Sequence, residues 1–237
     1  MSAIGPSKNS EGLTLRQAAL IAGFGYLIMP VAYAEYSIYP KLVIPHNIDQ
    51  TAQNIAAHGR LFAVAILCYL ITFILDIVIA WALYILLAPV NRSLSLLTAW
   101  FAVVYAAVAL VATMNLATVF RLLHTPDYLS VFGAQPLHAQ VKLLLDSFQY
   151  QWSMSLVIFA VHLVLLGYLV FRSGYIPRVI GVALLIDGLA WVIDCLGPYF
   201  YSSIHLHFIS VAFFGELVFM VWLLIRGWKI QEPAARS

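Results

Sequence analysis

Four ionisable side chains lie inside long apolar segments of this chain, where a charge is costly: Asp76, His162, Asp187 and Glu216. On insertion scales a charged side chain at the centre of a membrane costs roughly 2.5 to 3.5 kcal/mol, so each one needs a partner, water or a neutral protonation state. Three carboxyl groups and an imidazole can share protons, hold a cation or metal, or bind a polar ligand. These four residues are the first candidates for a functional site.

Counting residues predicts that the four side chains lie at nearly the same depth. His162, Asp187 and Glu216 each lie ten residues from a charged residue or proline that marks one end of their segment. At about 1.5 Å per residue this distance is about 15 Å, and Asp76 lies only about 3 Å further along its own segment. A second polar layer is predicted nearer the opposite side: Glu35, Arg60, Asn115 and Asp194.

Two interpretations of these layers stay open. In the functional one, a polar pocket or proton relay opens to the outer side, and His162 with the three deep carboxyl groups forms its floor. In the structural one, the same groups pair between helices through hydrogen bonds, with one or more carboxyl groups protonated. Metal binding is a weaker option, and its candidate ligands are His162, Asp76 and Glu216.

The composition indicates an integral membrane protein. Of the 237 residues, 63% are hydrophobic and 9% are charged, whereas soluble proteins have roughly 25% charged residues. The expected partner is the lipid bilayer, and the small net charge of +2 gives no basis for nucleic-acid binding. The sequence has no HExxH, GxSxG, P-loop or CxxC pattern, which excludes the usual motif-defined hydrolases, nucleotide enzymes and thiol enzymes.

The apolar runs predict an all-α, polytopic membrane protein with six transmembrane helices. The predicted spans cover about 18–34, 60–88, 94–120, 153–171, 179–196 and 206–225. They form a single domain over 14–229, with helical loops on the outer side near 49–60 and 125–150. Residues 1–13 are predicted to be a flexible N-terminus, and residues 230–237 a C-terminal tail.

The basic residues predict the orientation of these spans. With six spans, eight Lys and Arg residues fall on the side of the termini and four fall on the other side. Cytoplasmic loops carry the excess of Lys and Arg, so both termini are predicted to be cytoplasmic. Six of the seven histidines then lie on the outer side or in its loops, and only His162 lies inside the membrane.

The predicted function is the binding or transport of a small solute, a proton or another cation. The alternative is a membrane-embedded enzyme that acts on a lipid or quinone-like substrate, in which His162 and the carboxyl groups perform acid–base chemistry or hold a metal. A third possibility is a structural or partner-binding membrane subunit. A small amphipathic ligand or a lipid would fit the first two, while the residues identify no cofactor and no oligomeric state.

Several segments of the chain also resemble a known family. They include AEYSIYPKLVIP, NIAAHGRLFAV, WVIDCLGP and GELVFMVWLLIRG, and the most specific is HLVLLGYLVFRSGYIPRVIG. In this order they are similar to the bacterial membrane proteins grouped as domain of unknown function 4386, over about 15–229. Six candidate residues fall in matching segments: Glu35, Arg60, Asp76, His162, Asp194 and Glu216. The resemblance implies a six-span protein of the bacterial inner membrane that keeps its first span, and it implies no activity.

Overall fold

The computed structural model describes residues 12–200 and 214–230. Every regular element in these ranges is helical, which confirms the all-α class. In chain order the α-helices are α1 (Leu15–Leu27), α2 (Val31–Tyr33), α3 (Tyr39–Leu42), α4 (Ile48–Ala57), α5 (Gly59–Leu87), α6 (Arg92–His124), α7 (Pro126–Phe132), α8 (Ala134–Ser173), α9 (Arg178–Phe200) and α10 (Phe214–Arg226). A π-helix, Ala34–Ile38, separates α2 from α3, and a 3₁₀ turn, Gly227–Lys229, follows α10.

Within residues 12–200 and 214–230, five segments are long and apolar enough to cross a membrane: Leu15–Leu42, Gly59–Leu87, Arg92–His124, Ala134–Ser173 and Arg178–Gly197. The shortest has 20 residues, which at about 1.5 Å per residue matches a hydrocarbon core of about 30 Å. These helices confirm the class of polytopic membrane protein. The sixth predicted span, 206–225, lies partly outside the described residues, so the count of six and the side of the termini stay predictions, as do the domain limits.

The first membrane segment is interrupted near its middle. Helix α1 ends at Leu27, and Pro30 follows, which has no backbone N–H to continue the helix. The chain resumes in α2 and then widens into the π-helix, whose first turn carries Glu35. A π-helical turn inside a longer helix is rare and is frequently found at functional sites.

The predicted outer loop at 125–150 is largely part of a longer helix. Helix α8 runs without a break for 40 residues, so the fourth membrane segment begins at Ala134 and extends well beyond the predicted limit of 153. Pro136 does not interrupt it, because this residue lies in the first turn, where its missing N–H has no helical partner to lose.

The predicted outer loop at 49–60 is a separate short helix. Helix α4 ends at Ala57, and His58 divides it from the long helix α5. It packs against α6 and α8, and His138 Nδ1 lies 2.6 Å from Asp49 Oδ1 at this contact. The two outer helical regions therefore hold each other in place.

Six helices pack side by side in a closed ring. Helix α1 packs against α5, α5 against α6, α6 against α8, α8 against α9, and α9 against α10, which returns to α1. The order follows the chain, as is typical where short connections join neighbouring helices. Side chains from all six helices can therefore meet in the interior of the ring.

Two apolar cores fill the ring at its two ends. One joins α1, α10 and the start of α9 to the ends of α5 and α8, and includes Leu86, Leu166 and Phe219. The other joins the π-helix, α4 and α6 to the start of α5 and the middle of α8, and includes Phe62, Leu116 and Phe148. Asp76 lies along α5 between Phe73, which belongs to the second core, and Ile79, which belongs to the first.

Glycines bring α8 and α9 into close contact. A Cβ atom on Gly181 would lie 2.6 Å from the backbone nitrogen of Phe171, and one on Gly167 would lie 2.7 Å from the carbonyl oxygen of Gly181. Further along, a Cβ on Gly188 would lie 2.8 Å from the carbonyl oxygen of Ala160. Small residues allow this approach in membrane helices, where packing rather than the hydrophobic effect drives association.

We expect Gly181→Ala to destabilise the protein by about 1–3 kcal/mol, because the added methyl group must push α8 and α9 apart. Gly197→Ala is the matched control on the same helix, since no atom of the described chain lies within 4 Å of its Cβ position. Thermal unfolding of both variants in detergent measures the difference. Equal melting temperatures for the two variants would contradict the close contact.

Candidate functional site: carboxyl groups inside the helix ring

Asp187 joins α9 to α10. Its side chain is 2% exposed, and Oδ2 accepts a hydrogen bond of 3.1 Å from the backbone N–H of Glu216. The backbone N–H of Gly215 also points to this carboxyl group. Gly215 is required here, because a Cβ atom would collide with Asp187 Oδ2 and would lie 2.8 Å from the backbone of Ala183. One predicted site residue thus fixes the backbone position of another.

Glu216 and Asp76 lie on α10 and α5 and are close enough to interact electrostatically with each other. Glu216 also interacts with Asp187, and the hydroxyl of Tyr26 on α1 interacts with both Glu216 and Asp76. Three of the four predicted deep residues therefore form one group, which we call the carboxyl cluster: Asp76, Asp187 and Glu216.

The carboxyl cluster contains polar atoms that lack hydrogen bonds. Asp76 Oδ2 is buried and has no partner among the described residues, and the same holds for the indole nitrogen of Trp191 on α9. Trp191 interacts with the Glu216 carboxyl group, but not with the geometry of a hydrogen bond. A buried polar atom without a partner is costly, so these two atoms mark the place where a ligand or a proton would be stabilised.

No cation neutralises the cluster within the two described ranges. Their ion pairs are His138 with Asp49 and Lys142 with Asp146, and all four residues lie outside the ring interior on α4 and the first part of α8. Three neighbouring carboxyl groups in a medium of low dielectric constant cannot all be ionised without a bound cation. The cluster therefore needs protons, a cation or both.

His162 is fully buried and faces α6. Its Nδ1 lies 2.8 Å from the backbone carbonyl oxygen of Thr98, and since a carbonyl oxygen only accepts, Nδ1 carries the proton. The imidazole ring of His162 also stacks on the phenyl ring of Phe159, with the two ring centroids 5.7 Å apart. The polar contact of His162 is thus an interhelical hydrogen bond, which is the structural interpretation given above for this residue.

The metal candidates His162, Asp76 and Glu216 do not form a ligand group in the part of the chain that the structure describes. No three His, Cys, Asp or Glu side chains there are arranged so that they could hold a metal ion. The carboxyl cluster itself includes two of the three candidates, but His162 bonds to Thr98 instead. A metal role for these three residues stays a prediction.

Five aromatic side chains fill the interior of the helix ring, on the side where an open pocket is predicted. Trp152 on α8 lies 5.4 Å from Tyr69 and 5.9 Å from Phe73, both on α5, measured between ring centroids. Phe148 contacts Trp152, Tyr69 and Tyr39 at 5.4 to 6.1 Å. Helices α5 and α8 are not neighbours in the ring, so these side chains meet across it. In this conformation the aromatic rings separate the carboxyl cluster from that side.

Glu35 belongs to the aromatic group and not to a separate outer layer. The hydroxyl of Tyr69 donates a hydrogen bond of 2.5 Å to Glu35 Oε1. The π-helix turns Glu35 inward, and this bond ties the interrupted first segment to α5. Glu35 also interacts electrostatically with Tyr105 on α6, which in turn interacts with Asp76 and Glu216. Tyr105 is therefore close enough to both acidic groups to interact with each.

The other predicted outer-layer residues are dispersed. Asn115 on α6 donates a hydrogen bond of 2.9 Å to Gln151 Oε1 on α8. Arg60 is exposed near the start of α5, and Asp194 is half-buried on α9. These residues do not join the carboxyl cluster.

Three residues near the carboxyl cluster are not predicted from the sequence: Tyr26, Tyr105 and Trp191. Aromatic residues near the ends of spans are ordinary interface anchors. Tyr26 and Tyr105, however, lie well inside their apolar segments, where a hydroxyl needs a partner. That position is the signal that could have identified them.

We expect Tyr69→Phe to lower the free energy of unfolding by about 1 kcal/mol, the usual size of an interhelical hydrogen bond in a membrane protein. The substitution leaves Glu35 Oε1 without its hydrogen-bond donor, while the phenyl ring at position 69 keeps its contacts with Phe148 and Trp152. Tyr84→Phe on the same helix is the control, because the Tyr84 hydroxyl makes no hydrogen bond to the described residues. Chemical or thermal denaturation in detergent compares the two, and equal losses would contradict the role given to this bond.

The ring of apolar helices and its buried acidic interior define a polytopic helical membrane protein. The chain belongs to the family described as domain of unknown function 4386, whose model matches residues 21–227. It is also similar to an uncharacterized protein of Archaeoglobus fulgidus, with 32% identity over 159 residues, which are 67% of this chain and 81% of that protein. No solved structure matches the chain. These relatives support the membrane class and assign no activity.

Proposed function

We propose that the chain is a membrane protein that binds or transports a small cationic solute in exchange for protons, with the carboxyl cluster as its binding site. The observation that carries this proposal is that Asp76, Asp187 and Glu216 lie together in the ring with no basic side chain to neutralise them in the described residues. A site of this kind attracts positive charge and repels anions. Protons and cations therefore compete for the same oxygens.

Each carboxyl group has a different part in this proposal. Asp187 is held by the backbone of α10, so it positions Glu216 and remains in place. Asp76 Oδ2 has no partner among the described residues, so it is the atom that is free to accept a cation or a proton. Glu216 interacts with both and completes the site.

The aromatic residues around the cluster indicate the kind of solute. Tyr26, Tyr105 and Trp191 accompany the carboxyl groups. Aromatic faces attract cations, and the attraction is larger when the site excludes water. A small amphipathic cation, with its charge at the carboxyl groups and its apolar part against these rings, fits this arrangement.

Exchange of the solute requires the aromatic rings near Trp152 to move. They lie between the cluster and one side of the ring, and they are held by stacking and by the Tyr69 bond to Glu35. The interrupted first segment, with Pro30 and the π-helix next to this group, supplies the element that can shift. In transporters such broken helices lie next to the substrate site.

For the topology we propose a plasma-membrane protein with six spans and with both termini in the cytoplasm. Helix α10 supports the sixth span, because only Glu216 and Arg226 of its 13 residues are charged and it packs between α1 and α9. The excess of Lys and Arg on the side of the termini supports the orientation. The bacterial inner membrane is the proposed location.

Tetraphenylphosphonium is a suitable probe, since it is a small amphipathic cation. We expect its affinity for the purified protein to rise with pH, because fewer protons then occupy the carboxyl cluster. The double variant Asp76→Asn with Glu216→Gln is expected to lose at least about tenfold in affinity, equivalent to about 1.4 kcal/mol, and to lose the pH dependence. Equilibrium dialysis in detergent measures both quantities.

The control variant is Asp127→Asn with Asp146→Asn, which removes two acidic groups from the exposed outer helices instead. It changes the net charge by the same amount and is expected to bind the probe as the wild type does. An equal loss in this control, or binding that does not change with pH, would contradict the proposed site. Proton movement in liposomes, followed with an enclosed pH-sensitive dye, then separates transport from binding alone.

A further inference from the structure

A cavity lies at the opposite end of the molecule from the outer helices, between the start of α9 and the end of α10. Its volume is about 940 Å³, and it is lined by the loop that joins α8 to α9 and by the last turns of α10. Its lining includes Tyr175, Arg178, Trp222, Arg226 and Lys229. This cavity is separate from the carboxyl cluster.

Among the described residues that line this cavity, every charged side chain is basic. Arg178, Arg226 and Lys229 are all exposed and line it from three elements: α9, α10 and the 3₁₀ turn. No acidic residue is among its lining residues, and the ion pairs of the described chain lie at the other end of the molecule. Three cations around one cavity repel one another, so an anion bound between them would be stabilised.

Two of the three cations, Arg178 and Lys229, are held in position by aromatic rings. The Arg178 guanidinium lies 5.6 Å from the ring centre of Phe171, and the Lys229 ammonium lies 4.8 Å from that of Trp228. Cation–π contacts of this kind leave the outer face of each cation free. A guanidinium group can then bind two oxygens of one phosphate at once.

The loop from α8 to α9 is also fixed. Gly174 has a φ of 75°, a left-handed conformation that favours glycine and ends α8. The Ser173 hydroxyl accepts a hydrogen bond of 3.2 Å from the backbone N–H of Ile176. The Tyr175 hydroxyl donates one of 2.5 Å to the carbonyl oxygen of Leu86 on α5. The segment FRSGYIPR thus forms a rigid wall that presents Arg178 to the cavity.

We propose that this cavity binds the phosphate of an anionic phospholipid headgroup. The cavity lies where two membrane helices end, at the level of the headgroups, and Trp222 and Trp228 are the aromatic residues typical of that level. Beside it, Val179 is 72% exposed and Ile225 is 59% exposed, so the apolar surface for the acyl chains continues directly from the cationic site. A basic site between the ends of membrane helices is the form that headgroup recognition takes.

Native mass spectrometry of the full chain, titrated with phosphatidylglycerol, tests the proposal. We expect the triple variant Arg178→Gln, Arg226→Gln, Lys229→Gln to weaken binding by about 100-fold, or about fivefold for each charge removed. Lys229→Gln alone, in an exposed turn, is expected to lose about fivefold with unchanged thermal stability. The control Arg92→Gln with Arg172→Gln removes exposed arginines that do not line the cavity, and it is expected to bind as the wild type does.

Two further arms identify the ligand. Phosphatidylcholine, which has no net charge, is expected to bind more weakly than phosphatidylglycerol by at least about tenfold. Glycerol 3-phosphate and inorganic phosphate are expected to compete poorly, since they lack acyl chains. Equal binding of the two lipids, unchanged binding by the triple variant, or equally tight binding of the soluble phosphates would each overturn the proposal. None of these results depends on the carboxyl cluster.

Discussion

The negative charge of Asp76, Asp187 and Glu216 inside an apolar ring is the constraint that governs this structure. Lipid cannot solvate a carboxylate, so the protein must supply donors or the carboxyl group must take up a proton. Asp187 meets this requirement with the backbone N–H groups of α10, and in doing so it joins α9 to α10. Asp76 meets it less completely, since Oδ2 has no partner among the described residues. Within the cluster, Asp187 is therefore stabilised by hydrogen bonds, while Asp76 Oδ2 lacks a hydrogen-bond donor among the described residues.

The two ends of the ring interior differ in character. Toward the cavity at Arg178 the interior is filled by leucines and small residues, and glycines let α8 and α9 approach closely. Toward the outer helices it is filled by large aromatic side chains that meet across the helix ring, and one of them, Tyr69, bonds to the partly buried Glu35. Close packing of small residues makes the first end rigid, because neither backbone can move closer. Aromatic side chains can change rotamer without moving a helix, so the second end is better suited to open.

The sequence predicts the positions of the helices along the chain better than it predicts which side of each helix faces the interior. Long apolar runs are sufficient to locate five membrane segments, because any other backbone would leave polar groups unsatisfied in lipid. The depth count is equally local, and it brings together Asp76, Asp187 and Glu216. The count does not determine rotation about the helix axis, and the polar contact of His162 is with the carbonyl oxygen of Thr98 on α6. The π-helix at Glu35 is also hidden from a count that assumes a regular helix, since it turns the side chain to a different face.

The meeting of α1 with α10 has a consequence for how the protein is made. Gly227 lies against Ala19, where an added Cβ would be 3.0 Å from the alanine side chain, so the two extremes of the described helices are neighbours. During synthesis α1 enters the bilayer before α10 has been made. Tyr26 is then in the membrane without Glu216, the carboxyl group with which it interacts in the folded protein. The acidic interior is completed only after α10, which carries Glu216, has entered the membrane. Without α10, Asp187 would lack the backbone N–H that it accepts from, and Asp76 would lack its acidic neighbour Glu216.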